Sequence, residues 1–122
     1  MTTLFLIGQI VLGVYFILSG AMHFMKLKDM TAYANAKHLP MPSAAVMLSG
    51  AVMLLGGVGV LFQMQLVWAY AGLIGFLVLA AFLMHNFWAD QDPQAKMGNR
   101  INFQKNLAIA AALCMLLASQ LG

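Results

Sequence analysis

The chain has 122 residues, of which 63% are hydrophobic and only 7% are charged, with a formal net charge of +3. Soluble domains carry roughly 25% charged residues, so this composition excludes an ordinary soluble domain. Six Lys and Arg residues are also too few for a nucleic-acid interface. From Leu39 to Ala89 the chain has no Asp, Glu, Lys or Arg and a single histidine, His85. Apolar runs of about 18 or more residues are typical of membrane spans, which predicts an integral membrane protein.

Four apolar segments are long enough to cross a hydrocarbon core about 30 Å thick. They run from about 4 to 23, 43 to 62, 66 to 86 and 102 to 121. None alternates in polarity as a β-barrel strand does. The sequence therefore predicts an all-α membrane protein, a four-helix transmembrane bundle that forms one domain over residues 1–122.

The segment from Phe24 to Pro42, which joins the first two spans, has a pattern of its own. Apolar residues recur there at helical spacing among charged ones: Leu27, Met30, Tyr33 and Ala34. This pattern predicts a short amphipathic helix in the membrane interface. Pro40 and Pro42 are expected to end it and return the chain to the membrane.

The other connections are simpler. Residues 63–65 (Gln-Met-Gln) predict a turn between the second and third spans. Residues 88–100 have the composition of a solvated turn with about one helical turn inside it. Glycines are frequent in the second span, at Gly50, Gly56, Gly57 and Gly59. In a bilayer small residues let helix backbones approach closely, so we expect tight packing of this helix within the bundle.

The basic residues all fall in or beside the two longer connections: Lys26, Lys28, Lys37, Lys96, Arg100 and Lys105. Four alternating spans place these two connections on the same side of the membrane. The positive-inside rule then puts both in the cytoplasm and both chain ends outside. The chain is predicted to be a multi-pass protein of the bacterial cytoplasmic (inner) membrane.

Polar side chains are concentrated at the predicted cytoplasmic ends of the spans. They form one candidate site for a quinone or lipid headgroup: His23, His85, Asn86, Trp88, Lys105 and Asn106. Ionisable groups within membrane segments tend to face the bundle interior or a watery cavity, so we expect these residues to converge. A quinone carbonyl would accept hydrogen bonds from His85, His23 or Lys105, and a histidine can relay protons near neutral pH.

Two other interpretations of this cluster remain open. The same residues could simply hydrogen-bond at helix ends and extend their side chains to the membrane interface. The residue types alone favour this structural interpretation. Methionines beside His23 and His85 could offer ligands to a soft metal, but no recognised ligand spacing is present and no metal is predicted. The chain also lacks phosphate-binding, dinucleotide-binding and hydrolase motifs. We therefore expect it not to be catalytic on its own.

Several segments resemble the DoxX family of small membrane proteins. They are Gly13 to Phe24, the Leu39-Pro40-Met41-Pro42 turn, His85-Asn86-Phe87-Trp88 and Asn102-Phe103-Gln104-Lys105-Asn106-Leu107. The resemblance implies four spans and an association with thiosulfate:quinone oxidoreductase or with membrane-linked thiol and oxidative-stress complexes. Family members often carry an acidic residue in the second span, near the position of Val52 and Met53 here. Its absence favours a structural role over proton relay.

The resemblance and the charge distribution together predict an accessory or anchoring subunit of a membrane-associated oxidoreductase system. One alternative is a quinone-interacting redox subunit with its headgroup site at the cytoplasmic end of the bundle. Another is a small-molecule transport module, which would require oligomers. The expected partners are the lipid bilayer and either an oxidoreductase subunit or a second copy of the chain. Quinone is the one cofactor that these functions would use.

Overall fold

The computed structural model describes residues 2–121, apart from the side chains of Thr2, Leu66 and Leu121. This part of the chain is helical and contains no strand. Its elements are α1 (Thr2–Met25), α2 (Leu27–Ala36), α3 (Pro42–Phe62), α4 (Leu66–Leu83), a 3₁₀ turn (Phe87–Ala89) and α5 (Pro93–Leu121).

The four longer helices are long and apolar enough to cross a membrane, which confirms the predicted all-α membrane fold. Each also exposes large apolar side chains along its length. Leu18, Leu55, Leu79 and Met115 are all at least 60% exposed. Apolar surface on this scale is unusual for a soluble protein, whereas lipid tails would cover it in a bilayer.

The predicted helix after the first span is confirmed as α2. Ala34 is buried and the helix packs against α3, while Lys28 of the same helix is exposed. His38 and Met41 have positive φ angles, 62° and 48°, and these left-handed residues turn the chain into α3, with Pro42 as its first residue. The interfacial position of α2 remains a prediction.

The predicted turn between the second and third spans is also confirmed. Gln63 ends α3 in the left-handed conformation, and the Met64 N–H donates to the Gly59 carbonyl at 2.9 Å. This 6→1 bond is the Schellman arrangement that commonly ends helices. A Cβ atom placed on Gly59 would lie 2.6 Å from the Ala69 Cβ, so the tight hairpin requires glycine there.

The prediction for the last connection was wrong over residues 93–100, which are helical rather than a solvated loop. Asp92 caps α5, because its Oδ2 accepts the Ala95 N–H at 3.1 Å, and Pro93 suits the first helical position. In addition, α4 ends at Leu83 rather than near residue 86. His85 and Asn86 therefore lie on the connection and not inside a helix.

The chain divides into two compact units, Met1–Leu73 and Ile74–Gly122, whose boundary falls within α4. In the first unit the largest fully buried side chains are Phe16, Val60, Tyr70 and Leu73. In the second unit the buried apolar side chains include Leu77, Ala81, Ala110 and Leu113.

Within the first unit, α1 and α3 meet backbone to backbone through two pairs of glycines. A Cβ atom on Gly20 would lie 2.7 Å from the Gly50 carbonyl oxygen, and one on Gly57 would lie 2.9 Å from the Gly13 carbonyl oxygen. The glycines are seven residues apart in each antiparallel helix. We call this the glycine contact. It confirms that glycines of the second span pack tightly inside the protein.

A hydrogen bond extends the glycine contact in the same register. Gln9 Nε2 donates to the Leu61 carbonyl of α3 at 2.7 Å. Because an amide in hydrocarbon has no water to bond with, this interhelical bond satisfies a polar group that would otherwise be costly within the span. It accounts for a polar residue in α1 without invoking a ligand.

Candidate functional site

The second unit contains a chain of three hydrogen-bonded polar side chains. His85 is half-buried on the connection after α4, and its Nδ1 lies 3.1 Å from Asn99 Oδ1 on α5. Asn99 Nδ2 in turn donates to Asp90 Oδ2 at 2.7 Å. We call these three residues the His85 chain. These hydrogen bonds hold the connection against the second turn of α5. The face of α5 that carries Asn99 becomes buried further along the helix.

That face of α5 changes from polar to apolar along its length. Asn99 and Phe103 are half-buried, while Asn106, Ala110 and Leu113 are buried. Spacings of four and three residues keep all five on one side of the helix, where they form a continuous stripe. Asn106 is only 6% exposed and is the one buried polar residue of this stripe.

Phe103 of the stripe belongs to a cluster of four aromatic rings. The Phe103 ring lies 5.1 Å from Phe82, 5.5 Å from Phe87 and 5.6 Å from Trp88, each distance between ring centroids, and each pair meets edge to face. Edge-to-face pairs at these separations are favourable. The Arg100 guanidinium lies over the Phe87 ring, 5.4 Å from its centroid. This aromatic cluster fixes the connection against α5 and gives the His85 chain an apolar neighbour.

The structure brings some of the predicted site residues together. His85, Asn86 and Trp88 lie on one short connection, where the Asn86 carbonyl accepts the Ala89 N–H at 3.0 Å. Trp88 contacts α5 through Phe103, and Asn106 lies one turn further along the same face. Lys105 is instead exposed, because it lies two positions beyond Phe103 and so points away from the stripe.

His23 belongs to the first unit and has a local hydrogen bond. Its Nδ1 lies 2.8 Å from the Ser19 carbonyl oxygen, one turn earlier in α1. A carbonyl oxygen can only accept, so the ring donates from Nδ1. A Cβ atom on Gly50 would lie 2.8 Å from the His23 Cβ, which places the histidine at the end of the glycine contact. Its convergence with the residues of the second unit remains a prediction.

Asn99 and Arg100 were not predicted as site residues, and Asp90 was interpreted only as part of the loop at residues 88–100. One signal was available: Asp92 followed by Pro93 is a helix-start pattern. A helix that begins there places Asn99 and Phe103 four residues apart on the same face. Among the residues that the structure describes, no three His, Cys, Asp or Glu side chains are grouped closely enough to hold a metal ion.

Comparison with known families identifies the chain. The DoxX family model matches residues 4–86, which is more than half of the sequence. The protein belongs to the DoxX family. The match includes the glycine contact, His23, His85 and Asn86, whereas Trp88, Asn99, Lys105 and Asn106 lie beyond it. No curated protein and no solved structure matches the chain. The family match does not extend to the part of this DoxX protein from Phe87 onward, which includes the Asn102–Leu107 segment that resembles the family.

Proposed function

We propose that this DoxX protein is an accessory or anchoring subunit of an oxidoreductase system in the bacterial cytoplasmic membrane. The observation that carries the proposal is the distribution of charge. All nine charged residues lie in two segments, between Lys26 and Lys37 and between Asp90 and Lys105. A partner enzyme would be held at these two segments, which we call the charged connections.

The positive-inside rule supports a cytoplasmic position for both charged connections. The turn at residues 63–65 carries no charge and is only three residues long. It offers little surface to a partner. The charged connections are larger, and each includes helical structure, α2 in one and the beginning of α5 in the other.

The length of α5 supports a docking surface outside the membrane. Its 29 residues extend about 43 Å at about 1.5 Å per residue, compared with a hydrocarbon core about 30 Å thick. The polar part of the helix lies at its start, and the first nine residues expose Lys96, Met97, Arg100 and Ile101. A mixed basic and apolar surface of this kind suits an acidic protein partner.

The interior of the first unit favours a structural role. Helices α1 and α3 are in backbone contact and leave no room for a substrate between them. Met53 is buried and Val52 is half-buried, at the place where family members often have an acidic residue. This face of α3 is therefore apolar and has no carboxylate with which to move protons.

Charge reversal of the charged connections tests the anchoring proposal. The triple variant Lys28→Glu, Lys96→Glu and Arg100→Glu is expected to reduce recovery of the partner enzyme roughly tenfold or more. Three unfavourable charge contacts at an interface cost at least about 1.4 kcal/mol in total. Quantitative mass spectrometry of protein purified in a mild detergent measures the recovery of each co-purifying protein.

The control is Gln65→Glu, which adds negative charge at the α3–α4 turn instead. It should leave partner recovery unchanged. Both variants are compared at the same amount of inserted DoxX protein. Equal recovery of every co-purifying protein in the wild type and the triple variant would contradict docking through the charged connections.

A quinone-interacting redox subunit is the second candidate function, and the His85 chain favours it. The connection that carries His85 also carries Phe87 and Trp88, and Asn99, which bonds the imidazole, lies one turn before Phe103 on α5. Sites for aromatic small molecules commonly join a few placed polar groups to an aromatic lining. A quinone headgroup has this chemistry, and its tail would lie in the bilayer.

A further inference from the structure

We propose that Asn99 and Asp90 are positioning residues that hold neutral His85 with its proton on Nδ1. We further propose that a headgroup bound by His85 is a hydrogen-bond donor, the phenolic hydroxyl of a hydroquinone, rather than the carbonyl of a quinone. The second statement rests on the quinone-interacting candidate function. The first concerns the protein alone.

The direction of each hydrogen bond follows from the chemistry of the three side chains. A carboxylate accepts and does not donate, so the Asn99 amide nitrogen must be the atom that bonds Asp90 at 2.7 Å. The amide oxygen of Asn99 therefore points toward His85, 3.1 Å from Nδ1. An amide oxygen can only accept, so Nδ1 carries the proton. Asp90 thus sets the orientation of Asn99, and Asn99 sets the tautomer of His85.

The tautomer decides what His85 can recognise. In a neutral imidazole with its proton on Nδ1, Nε2 is an acceptor. Any group that meets Nε2 must then donate a hydrogen bond, as a hydroquinone hydroxyl does and a quinone carbonyl does not. His23 has the same constraint, because its Nδ1 donates to the Ser19 carbonyl. The sequence-based expectation that these histidines donate to a quinone carbonyl therefore does not suit their neutral forms.

Nitrogen-15 NMR of histidine-labelled protein tests the positioning role without any ligand. At about pH 8.5, roughly two units above the usual histidine pKa, the His85 ring of the wild type should be mainly protonated on Nδ1. Asn99→Leu removes the acceptor and should shift the ring toward the Nε2–H form. Asp90→Ala lets the Asn99 amide rotate and should cause a smaller shift in the same direction.

The matched control is Gln104→Leu, which removes an exposed amide from the same helix. It should leave the His85 tautomer as in the wild type. A wild-type His85 ring mainly protonated on Nε2 would overturn the positioning role. So would an unchanged tautomer in a folded Asn99→Leu protein.

Binding of decylubiquinol and decylubiquinone to the protein in nanodiscs, without oxygen, tests the ligand. A single favourable hydrogen bond corresponds to a preference of roughly three- to tenfold, so the wild type should bind the hydroquinone that much more tightly than the quinone. Asn99→Leu should reduce this ratio, and Gln104→Leu should not. Equal or tighter binding of the quinone by the wild type would overturn the donor requirement.

These results separate the two levels of the proposal. Binding of neither form would reject the quinone-interacting function and the hydroquinone ligand together. The tautomer measured by NMR would still confirm or overturn the positioning role of Asn99 and Asp90.

Discussion

Replacing Gly20 by leucine is expected to destabilise the protein by about 3 kcal/mol or more. A Cβ atom at this position would lie 2.7 Å from the Gly50 carbonyl oxygen and 2.8 Å from the Leu54 amide nitrogen. Cβ atoms essentially never lie closer than 3.0 Å to a heavy atom of this kind. Both obstructing atoms belong to the α3 backbone, so rotation of a side chain cannot relieve the clash, and α1 must separate from α3.

The matched control is Gly8→Leu in the same helix, where a Cβ atom would meet no atom within 4 Å. Its effect should stay within about 0.5 kcal/mol. Thermal unfolding in detergent, followed by size-exclusion chromatography with a fluorescent fusion, measures both variants against the wild type. Similar unfolding temperatures for Gly20→Leu and the wild type would show that α1 and α3 do not meet through these glycines.

Replacing His85 by alanine is expected to lower bound hydroquinone about tenfold, if the protein carries this headgroup in the membrane. The substitution removes the imidazole that would hold the headgroup, and a tenfold change corresponds to about 1.4 kcal/mol, near the upper end for one hydrogen bond. The contacts of Phe103 with Phe82, Phe87 and Trp88 do not involve His85. The connection should therefore stay packed on α5 and the protein should stay folded.

His38→Ala is the control, since His38 is an exposed histidine in the turn between α2 and α3. This variant should retain the wild-type amount of hydroquinone. Mass spectrometry of lipids, extracted without oxygen from purified, monodisperse protein, provides the ratio of hydroquinone to protein. Full retention of hydroquinone by a folded His85→Ala variant would reject His85 as a headgroup ligand.

The spanning helices could be predicted from composition, because a charge-poor apolar segment of about 20 residues is rarely anything other than a membrane span. The importance of glycines in α3 was also predictable. Their partners were not, because Gly13 and Gly20 meet Gly57 and Gly50 only in one antiparallel register. That register depends on which faces of α1 and α3 pack together, and a single sequence does not contain this information directly.

The candidate site was predicted in part. His85, Asn86 and Trp88 do lie together after α4, since one short connection contains all three. Asn99 was missed because its segment was interpreted as a loop, and its role depends on the early start of α5 at Pro93. Lys105 looked suitable by its place in the sequence, but Phe103 and Asn106 occupy the inward face of the helix and leave Lys105 exposed.

The central claim is that both charged connections face the cytoplasm, where they can hold a partner enzyme. Cysteine labelling of spheroplasts tests it most directly, in a Cys114→Ala background with Lys28→Cys, Gln94→Cys or Met64→Cys introduced one at a time. A membrane-impermeant maleimide should label Met64→Cys in intact spheroplasts and the other two variants only after the membrane is opened. Labelling of Lys28→Cys or Gln94→Cys in intact spheroplasts would contradict the account.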